Sequence, residues 1–168
     1  PAYKKEIRAS RINLTQALVS RLRNIGMPDV FISGSAIGFY GESKEREFSE
    51  TDQVGSGFSA ELCRDWEASV SDIGSEGTRC VLLRTGVVLD DALGAYPQMT
   101  QSFRIGLASW MGQGEHWLSW IHLADMVGAI MHCIQNAGVS GPVNMTAPNP
   151  VTHRSFADEV RSVTTTVM

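Results

Sequence analysis

Ser35, Tyr40, Arg84, His122 and Asn144 are the residues whose types and positions suit chemistry in this chain. Ser35 ends a stretch, VFISGSAIGFYG at 30–41, that opens as an apolar run and breaks into small residues. In an open parallel sheet, ligands bind just beyond the carboxyl ends of the strands, so a hydroxyl there is placed to meet one. The same residues also read as a plain strand followed by a Ser/Gly turn. Tyr40 follows Ser35 closely enough to line the same pocket. Arg84 closes a second apolar run and could meet a phosphate or carboxylate, or make a salt bridge with a loop. His122, behind Trp117 and Trp120, could donate to a substrate or serve as a structural joint. Asn144 could hold a ligand or tie down its own loop. His116, His132 and His153 have no ligand-like spacing, so no metal is expected.

The elements that must position these groups alternate. Residues 3–24 carry Leu14, Leu18 and Leu22 at four-residue spacing, which predicts an amphipathic helix ended by Gly26 and Pro28. A strand buried on both faces follows at Val30. A charged loop, 42–52, leads to a second helix over 58–73, with Phe58, Leu62, Trp66 and Val70 as its buried stripe. Residues 79–89, RCVLLRTGVVL, read as a second strand. Helix and strand in turn indicate a parallel α/β unit, with Ser35 and Arg84 emerging at one ligand edge. Residues 90–119 are rich in Gly, Met and Trp and read as an irregular insert, with a helix over 98–103 and a hairpin near Gly114. A helix over 123–135 with Met126, Ile130 and Ile134 on one face, a strand over 142–145 and a last helix near Phe156, capped by Thr152 or Ser155, complete the chain. Its β-branched end, 163–167, is expected to fray.

The totals bound the function. At 168 residues the chain fits a single domain over 1–168, and 43% hydrophobic with 19% charged residues is ordinary for a globular protein. Residues 1–24 hold six basic groups against one acidic, a local +5 within a net charge of −4. That basic helix reads as a solvated face, so no nucleic acid is expected. Cys63, Cys80 and Cys133 are odd in number and widely spaced, which fits a reducing cytoplasm and neither a disulfide framework nor a zinc site. No apolar run approaches the ~18–20 residues that span a bilayer, so no membrane partner is expected.

Taken in order, SGSAIGFYG at 33–41, FSAELCRDWEA at 58–68, RTGVVL at 84–89, WLSWIHLADMVGAI at 117–130 and GPVNMTAPNPVTHRSFA at 141–157 resemble the epimerase-like branch of the extended and atypical short-chain dehydrogenase/reductases. The resemblance implies a Rossmann-like, doubly wound parallel sheet, here partial, with a small substrate region built from the insert. It also implies NAD or NADP as cofactor and a sugar-nucleotide-like substrate, with Ser35 at the family's catalytic Ser position and Tyr40 beside it. Arg84, His122 and Asn144 would bind substrate.

Two departures qualify this. The glycine-rich strand–turn–helix that holds a dinucleotide's pyrophosphate has no counterpart in the sequence. The chain therefore resembles the later part of the family's chain, from the helix before its fourth strand, and reads as truncated. No cofactor is expected to bind this chain alone. The helical Tyr-x-x-x-Lys pair, in which Lys lowers the Tyr pKa for proton exchange, is replaced by Phe58 and Leu62. A literal Tyr40…Lys44 match lies in a loop, without the helical context the motif needs. The chain alone is thus expected to be inactive, or else a non-catalytic binding or assembly module. The first strands' absence leaves a sheet edge open, which invites a homodimer by edge addition or segment exchange.

Overall fold

A helix that changes pitch opens the chain. The computed structural model describes residues 2–105 and 113–165. Helix α1 (Ala2–Arg8) runs into a π-helical segment, Ala9–Asn13, and then α2 (Leu14–Ile25). The single amphipathic helix expected there is interrupted because the wider turn shifts its phase. Leu14 and Leu18 lie 66% and 48% exposed, and Val19 is the buried residue of α2. Gly26, at φ 120°, ends the helix with its N–H on Leu22 O.

The basic residues of this helix are largely used. Arg8 pairs with Asp65, Arg23 pairs with Glu76, Arg11 lies 5.7 Å from the Trp66 ring and Lys4 lies 4.5 Å from the Phe58 ring. Hydrogen bonds from Arg8 and then Arg64 hold the Asp65 carboxyl below its usual range, against a smaller opposing effect of burial. A carboxylate whose pKa falls on folding adds stability above its unfolded value, about 3.9, and loses it as pH falls through the folded one. Arg8→Ala should therefore flatten the drop in thermal midpoint between pH 6 and pH 3. An unchanged slope would show that the pair contributes nothing.

The contacts group the described residues into two compact units. The first, residues 1–85 with 130–144, holds β1 (Val30–Ala36), α3 (Phe58–Ala68), β2 (Arg79–Thr85) and nearly all of β6 (Gly141–Met145). These strands form one sheet in the order β1-β2-β6, with β1 and β2 parallel and Ser35 in register with Arg84. Strand β1 is not buried on both faces: its burial alternates, with Phe31, Ser33 and Ser35 inside. Helix α3 stops at Ala68 and a 3-10 turn, Ser71–Glu76, follows it. Val19, Phe31, Val70 and Ile73 make one core cluster, while Phe39, Tyr40 and Cys63 make another. Arg79 closes the end of helix α5 (Leu123–Gln135), donating from Nη1 to Cys133 O and Val139 O at 2.8 and 2.7 Å and from Nη2 to Ile134 O at 2.9 Å. Two carbonyls left open by a helix terminus, with that of Val139 beyond it, thus receive a cation, the favourable sign at that end.

The second unit, residues 86–129 with 145–168, starts where the long strand expected over 79–89 breaks. Gly86 donates to Met145 O, and a Cβ there would stand 2.6 Å from Ser119 O, so the chain turns at the residue without a side chain. Strand β3 (Val87–Leu89) then pairs parallel with β5 (Trp120–His122), and β4 (Trp117–Leu118) pairs antiparallel with β7 (Val151–Thr152). Helix α4 (Ala95–Thr100) begins three residues before the helix expected over 98–103. Gly114 lies in a bend, no strand is described between 90 and 114 to make the hairpin expected there, and residues 106–112 fall outside the described residues. Phe103, Ala157 and Val160 form this unit's core against helix α6 (His153–Thr165). Thr152 Oγ1 accepts the Ser155 N–H at 3.0 Å, the expected cap, although α6 already begins at His153. Residues 163–165 of the β-branched end stay helical, and 166 and 167 lie outside the described residues.

Of α5, Cys133 alone is fully buried, and Ile134 of the expected inner face is 43% exposed. Leu123, Val127 and Met131 stand on the surface with it. Among the described residues no helix is long and apolar enough to cross a membrane, and no group of acidic, His or Cys side chains could hold a metal ion.

Candidate functional site

At the carboxyl ends of β1 and β2, four of the five sequence-selected residues meet in the first unit. Strand β1 delivers Ser35 and β2 delivers Arg84, as register partners. A 3-10 turn, Ile37–Tyr40, continues from β1 and carries Phe39 and Tyr40 inward. Strand β6 brings Asn144. All but Asn144 are nearly closed to water, Arg84 at 4% exposed among them.

Glu67, on the last turn of α3, holds the cluster together. Its Oε1 accepts from Ser35 Oγ at 2.6 Å and from Arg84 Nε at 2.9 Å, and its Oε2 accepts from Arg84 Nη2 at 3.0 Å. This is a two-pronged guanidinium–carboxylate pair, the geometry that makes arginine the cation of choice in a buried site. Arg84 Nη1 donates to Tyr40 Oη at 3.0 Å and to Glu50 O at 3.2 Å. The guanidinium also lies 3.5 Å from the centre of the Phe39 ring. Burial alone would lower the pKa of Arg84, yet its hydrogen bonds to Glu67 and Tyr40 outweigh that and raise it.

Tyr40 Oη in turn donates to Asn144 Oδ1 at 2.6 Å, and the Tyr40 ring stacks on Phe48 with centroids 5.1 Å apart. The network is complete: among the described residues no buried side-chain nitrogen or oxygen lacks a partner. Each hydroxyl is committed, because the Ser35 proton points at Glu67 and the Tyr40 proton at Asn144. Burial, the chief cause, pushes the nearby Cys63 thiol up, so it stays protonated near neutral pH.

His122 belongs to the second unit, at the start of α5. Its Nδ1 accepts the Ala124 N–H at 3.1 Å, which is the contact of a helix-capping side chain. Phe58 and Leu62 stand on α3, and neither side chain carries an exchangeable proton.

Sequence reasoning missed Glu67 and Glu50. The available signal for Glu67 was its place four residues after Cys63 on the helix's inner side, an acid among apolar neighbours. Such a residue demands a buried cation, and Arg84 supplies it. Glu50 carried no such signal, because its role depends on how the 41–57 segment folds back.

Known proteins resemble the chain in sequence and fold. No protein-family model matches the chain. An epimerase family protein of Mycobacterium bovis is 42% identical over 155 residues, which is 92% of this chain and 51% of the relative. The chloroplastic epimerase family protein of Arabidopsis thaliana is 36% identical over 97% of this chain and 48% of its own. Among solved structures, a nucleoside-diphosphate sugar epimerase from Corynebacterium glutamicum superposes with a TM-score of 0.88 at 32% identity, over 97% of this chain and 35% of that one. Human epimerase family protein SDR39U1, solved with NADPH, gives 0.85 at 29% identity, over 95% and 56%. The chain spans about half the length of the curated relatives it matches. In sequence and α/β fold the chain is thus epimerase-like, similar to part of the length of each of these proteins.

Proposed function

We propose that this chain carries the substrate-side portion of an epimerase-like protein, takes a sugar-nucleotide-like ligand, and does not by itself bind a nicotinamide cofactor or turn over substrate. The carrying observation is the closed network around Glu67 and Arg84. With the Ser35 and Tyr40 protons engaged and Phe58 and Leu62 inert, none of these four described residues is free to exchange a proton with a substrate hydroxyl.

NAD or NADP is the cofactor the family implies, and the described residues do not fit it. A dinucleotide's pyrophosphate is held by a glycine-rich turn between a strand and the start of a helix. Here β1 runs into a 3-10 turn and an irregular segment before α3 begins at Phe58, β2 breaks at Gly86 into another strand, and β5 and β7 pass into α5 and α6 with no glycine between. Arg84, the cation at the strand ends, is neutralised by Glu67. Fluorescence titration of the 168-residue chain with NADPH and NADH should give no saturable signal. A dissociation constant in the micromolar range would overturn this reading.

A second reading has its own support. Among the described residues β1 is paired only with β2, so its other edge is open. Open edges and the apolar surface of α5 invite a second copy. The chain then serves as an assembly module in the cytoplasm, and it associates as a homodimer. Sedimentation equilibrium at micromolar concentration tests it, with a single monomeric species as the contrary result.

A further inference from the structure

We infer that the 41–57 segment is a releasable strap over the strand-end cluster and that Glu50 is its clasp. Glu50 makes two bonds to groups selected above as ligand-binding. Its main-chain oxygen accepts from Arg84 Nη1 at 3.2 Å, and its carboxylate Oε1 accepts the Asn144 main-chain N–H at 2.9 Å. The protein's own acceptors thus occupy two donors that a ligand's hydroxyl or phosphate oxygens would use.

The rest of the strap is built to close in one piece. Phe48 stacks on Tyr40, and its carbonyl accepts from Asn144 Nδ2 at 3.5 Å. Asp52 organises the turn by accepting from the Ser49 N–H at 2.7 Å, and it pairs with Arg46. Gly55 donates to Phe39 O at 2.9 Å, and its missing side chain lets the two main chains touch.

The strap rather than the core is the part that can yield. Taking Glu67 from Arg84 would strand two charges among buried neighbours. Glu50 is exposed, so its carboxylate returns to water when it lets go. No regular secondary structure spans 41–57, so opening it breaks no ladder of main-chain bonds. Release uncovers Arg84 Nη1 and the Asn144 amide together. The class of ligand that would then enter, a sugar nucleotide, rests on the reading under Proposed function; the strap itself does not.

Limited trypsin digestion tests the strap, since Lys44 and Arg46 both lie within it. Glu50→Ala should raise the rate of cleavage at these two sites by about tenfold, with urea unfolding followed by tryptophan fluorescence nearly unchanged. Glu50→Gln, which keeps an oxygen for the Asn144 amide, should raise it less. Unchanged cleavage in Glu50→Ala would overturn the clasp, and so would a rise matched by an equal loss of global stability. A separate arm adds uridine diphosphate glucose to the released variant in a calorimeter. Binding that is tighter in Glu50→Ala than in the parent chain supports gating. Faster cleavage with no binding leaves the strap standing and counts against the sugar-nucleotide reading instead.

Discussion

Glu67→Ala is expected to destabilise the chain by about 3–5 kcal/mol, the cost of leaving a buried charge without its partner. Arg84 would remain nearly sealed from water with two of its donors facing a void, and Ser35 would lose its acceptor as well. Urea unfolding of the variant measures this directly. The pair itself is a different quantity from the damage done by halving it. Replacing both members with methionine should recover much of the loss, because well-packed apolar residues substitute for a buried ion pair at little net cost. If Glu67→Ala costs under about 1 kcal/mol, water reaches the guanidinium and the cluster is not closed.

Gly55→Ala is expected to be the most disruptive small substitution, at about 3 kcal/mol. The added Cβ would stand 2.1 Å from Tyr40 O, 2.5 Å from Tyr40 C and 2.7 Å from Gly41 N. All three are main-chain atoms that cannot rotate away, so the strap or the Tyr40 turn must move. The Tyr40–Asn144 hydrogen bond and the Phe48 stack should then weaken together, visible as shifted resonances at all three residues. Gly128→Ala is the control. Nothing lies within 4 Å of its Cβ position inside helix α5. Relief of glycine's entropy should make that change neutral or stabilising by up to about 1 kcal/mol. Equal effects at the two sites would mean that close approach does not decide the outcome.

The alternation of helix and buried strand is a local property of sequence, and it was legible. Apolar runs at 30–32 and 80–83 marked β1 and β2, and the break into small residues marked the end where Ser35 and Arg84 meet. Boundaries were less so. The run 79–89 looks continuous because Gly86 is flanked by β-formers. Only the crowding by Ser119 and the bond to Met145 turn it into two strands. The leucine spacing of residues 14–22 predicted a buried stripe, yet a π-helical turn at Ala9–Asn13 separates it from α1, and Leu14 and Leu18 face outward. Nothing in five residues of sequence announces a turn whose cause is tertiary. The candidate site follows the same division. Its hydroxyls and its arginine were visible as types at strand ends. Their shared carboxylate was not, because its meaning depends on a cation 17 positions away in sequence.

The wide turn near the amino terminus also sets the tolerance of that helix to a change of length. A π-helical stretch behaves as an α-helix carrying one surplus residue. Excising a single residue from Ala9–Asn13 would regularise the winding and leave the phase of everything before it nearly unchanged, because roughly five π-wound residues turn the chain as far as four α-wound ones. Lys4 would keep its place over the Phe58 ring and Arg8 its pair with Asp65. The same excision from the uniform winding of α2 would instead rotate everything before it by about 100° and unfasten both contacts from α3.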